Sequence, residues 1–249
     1  MSRPALIFLD DGGVMNDNAR RKPQWQRLVA EYLSPRLGGR PAAWAQANEV
    51  AFERSWERYV EAGKRAGDGN LDYSAFWEPE RERWLRDMCA HVGVAAPAGA
   101  ACQQLAKDTE AYVIPRLRAA FPGAVDAIRE LHAHGYALTT ASGGSSLDLN
   151  GYLTGMGVRE LFGARLYGPD LVHSQKFGPQ YYSLIFADAG VEPHTALVVD
   201  DSREAVQWAA QAGAMTVIVT SDARDEDDGQ AVIGRLADLT SFLARPEGG

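Results

Sequence analysis

Leu6-Ile7-Phe8-Leu9-Asp10-Asp11-Gly12-Gly13-Val14 is the stretch whose reading decides the fold. An unbroken apolar run ends in two carboxylates and two glycines. A strand that is apolar on successive rather than alternate residues is one buried on both faces. In an open parallel sheet, ligands bind in the crevice beyond the carboxyl ends of the strands, which would put Asp10 at its floor. Gly12 and Gly13 permit a sharp turn away and a close ligand approach. Taken alone, the stretch reads equally well as a strand that ends in a polar turn. The later strands have to decide.

From Phe121 onward, helix and strand patterns alternate. Residues 124–134 read as a helix closed by Gly135, residues 136–141 as a strand stopping at Ser142-Gly143-Gly144-Ser145, and 147–156 as a helix. A short strand at 164–167, a helix at 180–189 closed by Gly190, and an apolar strand at 196–199 follow. That strand stops at Asp200-Asp201-Ser202, before a helix at 205–212 and a strand at 216–220. The Asp-rich run 222–228 reads as a solvated loop, 229–243 as a last helix and 245–249 as a frayed end. This alternation predicts an α/β fold with a parallel sheet covered by helices on both faces.

Between the two regions the texture differs. Residues 16–118 are rich in Ala, Arg, Glu and Trp and contain no convincing strand; 23–32, 41–64, 73–92 and 98–118 read as helices. Trp44, Asn48, Phe52, Trp56 and Tyr59 recur at three- and four-residue steps, as one helix face does. Trp25, Trp44, Trp56, Trp77 and Trp84 all fall in this region, and aromatic residues at that spacing are assigned to core.

Composition narrows the class. The 249 residues suffice for one large or two modest domains, and 46% of them are hydrophobic. A net charge of −8 argues against nucleic acid as a partner, because phosphate backbones attract basic patches. Cys89 and Cys102 read as reduced thiols. No run is long enough for a membrane span, and the N-terminus lacks a signal-peptide pattern, so a cytoplasmic location and no membrane partner are expected.

Parallel strands bring their ends to one edge. The first offers Asp10, the second Ser142 with Gly143, and the late apolar strand Asp200 and Asp201, with Lys176 in the polar segment between them. Three carboxylates meeting there repel unless a cation compensates, and hard oxygen donors with room for water suit Mg²⁺ sharing a substrate's phosphate oxygens. Ser142 and the amides after it can donate to phosphate, and Lys176 can balance both carboxylate and phosphate. Asp10 could then attack phosphorus and form an aspartyl-phosphate.

In that order the motifs resemble those of the haloacid dehalogenase-like hydrolase superfamily. Asp10-Asp11-Gly12-Gly13-Val14 is similar to its nucleophile loop, and Ser142 to its second-motif Ser/Thr. Lys176-Phe177-Gly178-Pro179 is similar to its lysine motif, and Val198-Val199-Asp200-Asp201-Ser202 to its acidic motif. The resemblance implies a Rossmann-like core of residues 1–16 and 119–249 and an inserted all-helical cap at 17–118. It also implies Mg²⁺ held by Asp10, the Gly12 carbonyl and Asp201, with Asp200 beside it. Catalytic candidates are Asp10, Ser142 and Lys176; phosphate-binding candidates are Asp11, Gly12, Ser142, Gly143 and Lys176.

One position departs from the pattern. Most of the family's phosphatases carry a second aspartate two residues after the nucleophile as acid/base; here that residue is Gly12. A positioned acid/base is worth about 10²–10⁴ in rate. Its loss predicts slow turnover, a good leaving group such as an anomeric or acyl phosphate, or proton transfer by water and substrate. Asp11 is a weak substitute, since on extended backbone its side chain points away from that of Asp10.

The favoured expectation is a Mg²⁺-dependent phosphatase acting on a small phosphorylated metabolite, as a monomer or homodimer. The alternatives are a phosphonatase or dehalogenase, the former needing a cap lysine such as Lys22, Lys64 or Lys107, and a binding module that has lost activity. Asn16, Arg20, Arg21 and Lys22 could reach the crevice, with solvated surface the expected fate of each.

Overall fold

A computed structural model describes residues 3–67, 71–220 and 231–244. Its sheet has five parallel strands, β1 (Leu6–Leu9), β2 (Leu138–Thr140), β3 (Ala196–Asp200), β4 (Met215–Val219) and β5 (Val232–Ile233), in the order β2-β1-β3-β4-β5. The helices are α1 (Asn18–Leu37), α2 (Pro41–Ala66), α3 (Tyr73–Val92), α4 (Ala100–Val113), α5 (Ala124–Ala133), α6 (Ser146–Met156), α7 (Pro169–Val172), α8 (Pro179–Ala189), α9 (Arg203–Gln211) and α10 (Leu239–Leu243).

The sheet is covered on both faces, as its unbroken apolar strands require. Ile7, Leu9, Leu197 and Val199 pack on one side with Ile128 and Leu131 of α5 and Leu149 and Leu153 of α6. Phe8, Ala196 and Val198 point to the other, against Tyr181, Tyr182, Ile185 and Phe186 of α8 and Ala205 and Ala209 of α9. Phe8 is fully buried and meets Phe186 edge-on at 5.2 Å.

Helices α1–α4 build a separate apolar cluster around Leu33, Trp44, Leu85, Met88 and Cys102. Of the five tryptophans in this region, Trp44 and Trp84 are buried, Trp25 and Trp77 are half-buried, and Trp56 is exposed. The assignment of all five to core is therefore too broad: the predicted face of α2 is split, with Trp44, Asn48 and Tyr59 inside and Phe52 and Trp56 outside. Glu80 of α3 is buried yet satisfied by Ser55 and Arg58 of α2, which ties the two helices together. Among the described residues no helix is long and apolar enough to cross a membrane, and Cys89 and Cys102 are free thiols.

Several expected elements differ. Helix α1 starts at Asn18 rather than Pro23, because the Asp17 carboxylate caps it by accepting from the Ala19 and Arg20 amides at 2.8 and 3.3 Å. Helix α4 stops at Val113, before Pro115, whose missing N–H ends the α-helical ladder. The predicted strand at 164–167 is reduced to one parallel bridge, Ala141 to Tyr167. The predicted last helix at 229–243 is also corrected: its start supplies edge strand β5, because Val232 and Ile233 pair with Ile218 and Val219, and only Leu239–Leu243 is α-helical. The acidic run 222–228 and the tail 245–249 lie outside the described residues.

Where α3 and α4 face α6, Glu110 pairs with Arg81 at 2.7 Å. Burial pushes the Glu110 carboxyl up to about 7, against the pull of Arg81 and with help from Asp148. A carboxyl raised above its unfolded value stabilises the fold below about pH 4.5, and that contribution is lost as pH rises toward 7. Glu110→Gln removes the group, so the stability of wild type relative to this variant should fall across that window. Urea midpoints measured through it check the sign; a difference that does not change with pH contradicts it.

Candidate active site

Register places the site. Leu9 lies opposite Thr140 on one side and Val199 on the other, so Asp10 emerges between the ends of β2 and β3, beside Ala141 and Asp200. The Asp10 amide donates to the Val199 carbonyl at 3.0 Å and the Ala141 amide to that of Leu9 at 3.1 Å. Ser142 then follows at the rim. Its carbonyl accepts from the Tyr181 hydroxyl at 3.0 Å, its amide donates to Tyr167 at 3.1 Å, and its Oγ accepts from the Gly144 amide at 3.3 Å.

Carboxylate oxygens of Asp10, Asp200 and Asp201 all lie within 4.8 Å of one another. Lys176 reaches in with its Nζ 2.8 Å from Asp10 Oδ1 and 2.6 Å from Asp200 Oδ2. Burial alone would pull that ammonium down, but Asp10 and Asp200 hold its pKa well above the ordinary value. Burial pushes Asp200 up to about 6, with Lys176 opposing and Asp10 adding to the rise. Asp201 is also raised, by burial and then by Asp10. One ammonium faces three carboxylates, and the carboxylates still crowd one another.

Gly13 makes the crowding possible. Its φ is +87°, and a Cβ there would sit 1.9 Å from Asp201 Oδ2. Gly13→Ala should therefore displace Asp201 and strain the loop, lowering stability by about 1–3 kcal/mol and turnover at the site by more than about tenfold. A urea midpoint and a turnover rate both equal to wild type would refute this.

Asp11 sits apart from the cluster. Its side chain is buried and takes Asn16 Nδ2 at 2.7 Å and Arg21 Nη2 at 2.6 Å, while Arg21 stacks over the Tyr152 ring at 4.3 Å. Burial raises its pKa, with Arg21 and Asn16 opposing. This carboxylate ties the loop after β1 to α1 and leaves only its backbone for a ligand. Among the described residues, the amides of Asp11, Gly12 and Gly143 donate to no protein group. Gly143 itself is exposed at the rim.

The structure thus gathers the carboxylates of Asp10, Asp200 and Asp201 within 4.8 Å, puts Lys176 in contact with Asp10 and Asp200, places Gly12 and Ser142 on adjoining turns, and turns the Asp11 side chain away. Surface was the expectation for four polar residues after the loop. Arg20 and Lys22 are exposed, but Asn16 is buried and Arg21 half-buried as partners of Asp11. Sequence reading missed that pairing and also missed Asn18, whose side chain lies against Gly12. The one available signal is Asp17, a capping residue that starts a helix immediately behind the loop.

The chain belongs to the haloacid dehalogenase-like hydrolases, whose family profile matches residues 23–213. Among solved structures it is similar to the 2-haloacid dehalogenase from Pseudomonas syringae, with a TM-score of 0.65, 20% identity and coverage of 97% of this chain and 99% of that one. The L-2-haloacid dehalogenase from Xanthobacter autotrophicus with chloropropionic acid covalently bound matches at TM-score 0.59 and 19% identity, covering 96% and 98%. The HAD-hydrolase YfnB from Bacillus subtilis bound to magnesium matches at TM-score 0.62 and 17% identity, covering 98% and 100%. No curated protein matches the chain. At these identities the structures show a shared fold, and the reaction has to be argued from the site.

Proposed function

We propose that this hydrolase is a Mg²⁺-dependent phosphatase of a small phosphorylated metabolite, with Asp10 as nucleophile and residues 17–118 as a cap over the rim. The observation that carries the reading is the excess of negative charge: carboxylates of Asp10, Asp200 and Asp201 within 4.8 Å against the single ammonium of Lys176. Both Asp200 oxygens are engaged, Oδ1 by the Ser202 amide at 3.0 Å and Oδ2 by Lys176 at 2.6 Å, which leaves Asp200 beside the cation rather than among its direct holders. The donors are all hard oxygens, as Mg²⁺ prefers. Asp10, Asp201 and the Gly12 carbonyl would hold it, with Asp200 beside them, and when bound it neutralises phosphoryl oxygens at the nucleophile.

The chain's own groups do the rest. The free amides of Asp11, Gly12 and Gly143, together with the Ser142 hydroxyl, orient the phosphoryl oxygens. Lys176 keeps the Asp10 carboxylate in place while its charge faces the transferred group. An Asp10 oxygen bonds to phosphorus as the bond to the substrate's leaving oxygen breaks with its electron pair. Water then bonds to phosphorus, the bond to Asp10 breaks with its pair returned to the carboxylate, and the water protons end on dihydrogen phosphate.

Carbon–halogen cleavage by the same Asp10 is the second reading, favoured by Gly12, since a halide leaves without a proton. Against it stand Asp200 and Asp201, which would repel the carboxylate of a haloacid. A phosphonatase finds no support: Lys22 is paired with Glu49 and Lys107 with Glu78 on the surface, and Lys64 is exposed. The test measures phosphate release from an aryl phosphate and chloride release from 2-chloropropionate, each with Mg²⁺ and with a chelator. Phosphate release that depends on Mg²⁺ is expected. Chloride release unaffected by the chelator, with no phosphate release, sinks the reading.

A further inference from the structure

Two residues past the nucleophile the chain has Gly12, yet the space a side chain would use there is filled. A Cβ on Gly12 would lie 2.7 Å from Asn18 Nδ2 and 2.9 Å from Asn18 Oδ1. Asn18 is the first residue of α1, set by the Asp17 cap, and it is exposed. Its carboxamide has no hydrogen-bond partner among the described residues. Asp11, the other polar group of the loop, is committed to Asn16 and Arg21. The position beside the nucleophile therefore presents an unpartnered amide and no available acid.

We propose that Asn18 is a substrate-contacting residue that stands in for the missing carboxyl, and that it restricts the site to phosphorylated compounds whose leaving group departs as a stable anion, an acyl phosphate above all. The proposal rests on the phosphatase reading given above. A carboxamide donates and accepts hydrogen bonds but does not exchange a proton at ordinary pH. A carboxylate leaving group has a conjugate-acid pKa of about 4, whereas an alkoxide, like hydroxide, comes from a far weaker acid. Only the alkoxide needs a proton as the bond breaks.

For an acyl phosphate the steps balance without an acid. An Asp10 oxygen bonds to phosphorus, the phosphorus–oxygen bond to the acyl group breaks, and the electron pair leaves as the free carboxylate. Water then bonds to phosphorus, the bond to Asp10 breaks with its pair returned to the carboxylate, and both water protons end on dihydrogen phosphate. The Asn18 amide donates to the departing oxygen in the first step and orients the water in the second.

The test compares wild type, Asn18→Ala and Asn18→Asp, with Mg²⁺, on acetyl phosphate, aryl phosphates of graded phenol acidity, and glycerol phosphate. Asn18 is exposed, so both variants should fold, and circular dichroism checks this. For wild type, kcat/KM on acetyl phosphate should exceed that on glycerol phosphate by at least about 10²-fold and should rise steeply with phenol acidity. Asn18→Ala should lose about tenfold on acetyl phosphate. Asn18→Asp should flatten the dependence by raising glycerol phosphate turnover about 10²-fold. A wild type indifferent to leaving-group acidity, or an Asn18→Ala variant equal to wild type on acetyl phosphate, overturns the proposal while phosphate release upholds the phosphatase reading. Phosphate release from none of these substrates overturns that reading and the proposal with it.

Discussion

Asp10→Asn should abolish phosphate release, with a loss on the order of 10⁴-fold or more in kcat. Asparagine keeps the shape of aspartate and an oxygen that can accept from Lys176, whose Nζ lies 2.8 Å away. It cannot form the aspartyl-phosphate, because a neutral amide oxygen is a poor nucleophile and has no charge to give. Folding should survive. The substitution removes one of three crowded carboxylates and so relieves repulsion, while Lys176 keeps Asp200 at 2.6 Å. The stabilisation that Mg²⁺ gives wild type should shrink in the variant, because a ligand that binds only the folded state stabilises it in proportion to its affinity. Steady-state phosphate release and thermal melts with and without Mg²⁺ measure both effects. Turnover close to wild type would remove Asp10 from the mechanism.

Lys176→Met should be the most destabilising single change in the site. The ammonium joins the Asp10 and Asp200 carboxylates, whose side chains are 10% and 1% exposed. Methionine fills similar volume without charge, so packing is preserved while two buried carboxylates lose their counterion. Breaking a buried pair from one side costs about 3–5 kcal/mol. Methionine also removes the charge that faces the transferred group, so activity should fall along with stability. Because the deficit is uncompensated negative charge, Mg²⁺ should recover more stability in this variant than in wild type. Urea unfolding with and without Mg²⁺ decides it. A variant as stable as wild type would mean that the Lys176 contacts carry no net energy.

What the sequence made legible follows from which physical constraints are local. Leu6–Leu9 and Ala196–Asp200 are apolar on successive residues and stop at aspartates, so the buried parallel strands and their polar ends could be read directly. Register then brings Asp10 beside Asp200 with no further information. Strand β5 was hidden, because two residues have no period and pair only once β4 is in place. The bridge at Tyr167 failed in the opposite sense, since a β-like run found only one partner position at Ala141. Side-chain commitments across the loop and α1 were also invisible. Nothing local says that Asp11 will be taken by Arg21, or that Asn18 will come to lie against Gly12. Both depend on the angle at which α1 leaves the loop after β1, which is a tertiary property. The outward edge of the α2 aromatic face is similar: periodicity placed Phe52 and Trp56 on a face but could not say that these two, between buried Asn48 and Tyr59, lie uncovered.

The most direct test of the central claim is where the oxygen of water goes. Turnover of a phosphorylated substrate in heavy-oxygen water, with Mg²⁺, should place the label in inorganic phosphate and leave the Asp10 carboxylate unlabelled, because water attacks the phosphorus of an aspartyl-phosphate. An alkyl ester on Asp10, the intermediate of carbon–halogen cleavage, is instead opened at its carbonyl carbon and leaves the label in Asp10. Mass spectrometry of the released phosphate and of the peptide carrying Asp10 reads both. Labelled Asp10 with unlabelled phosphate would contradict the account.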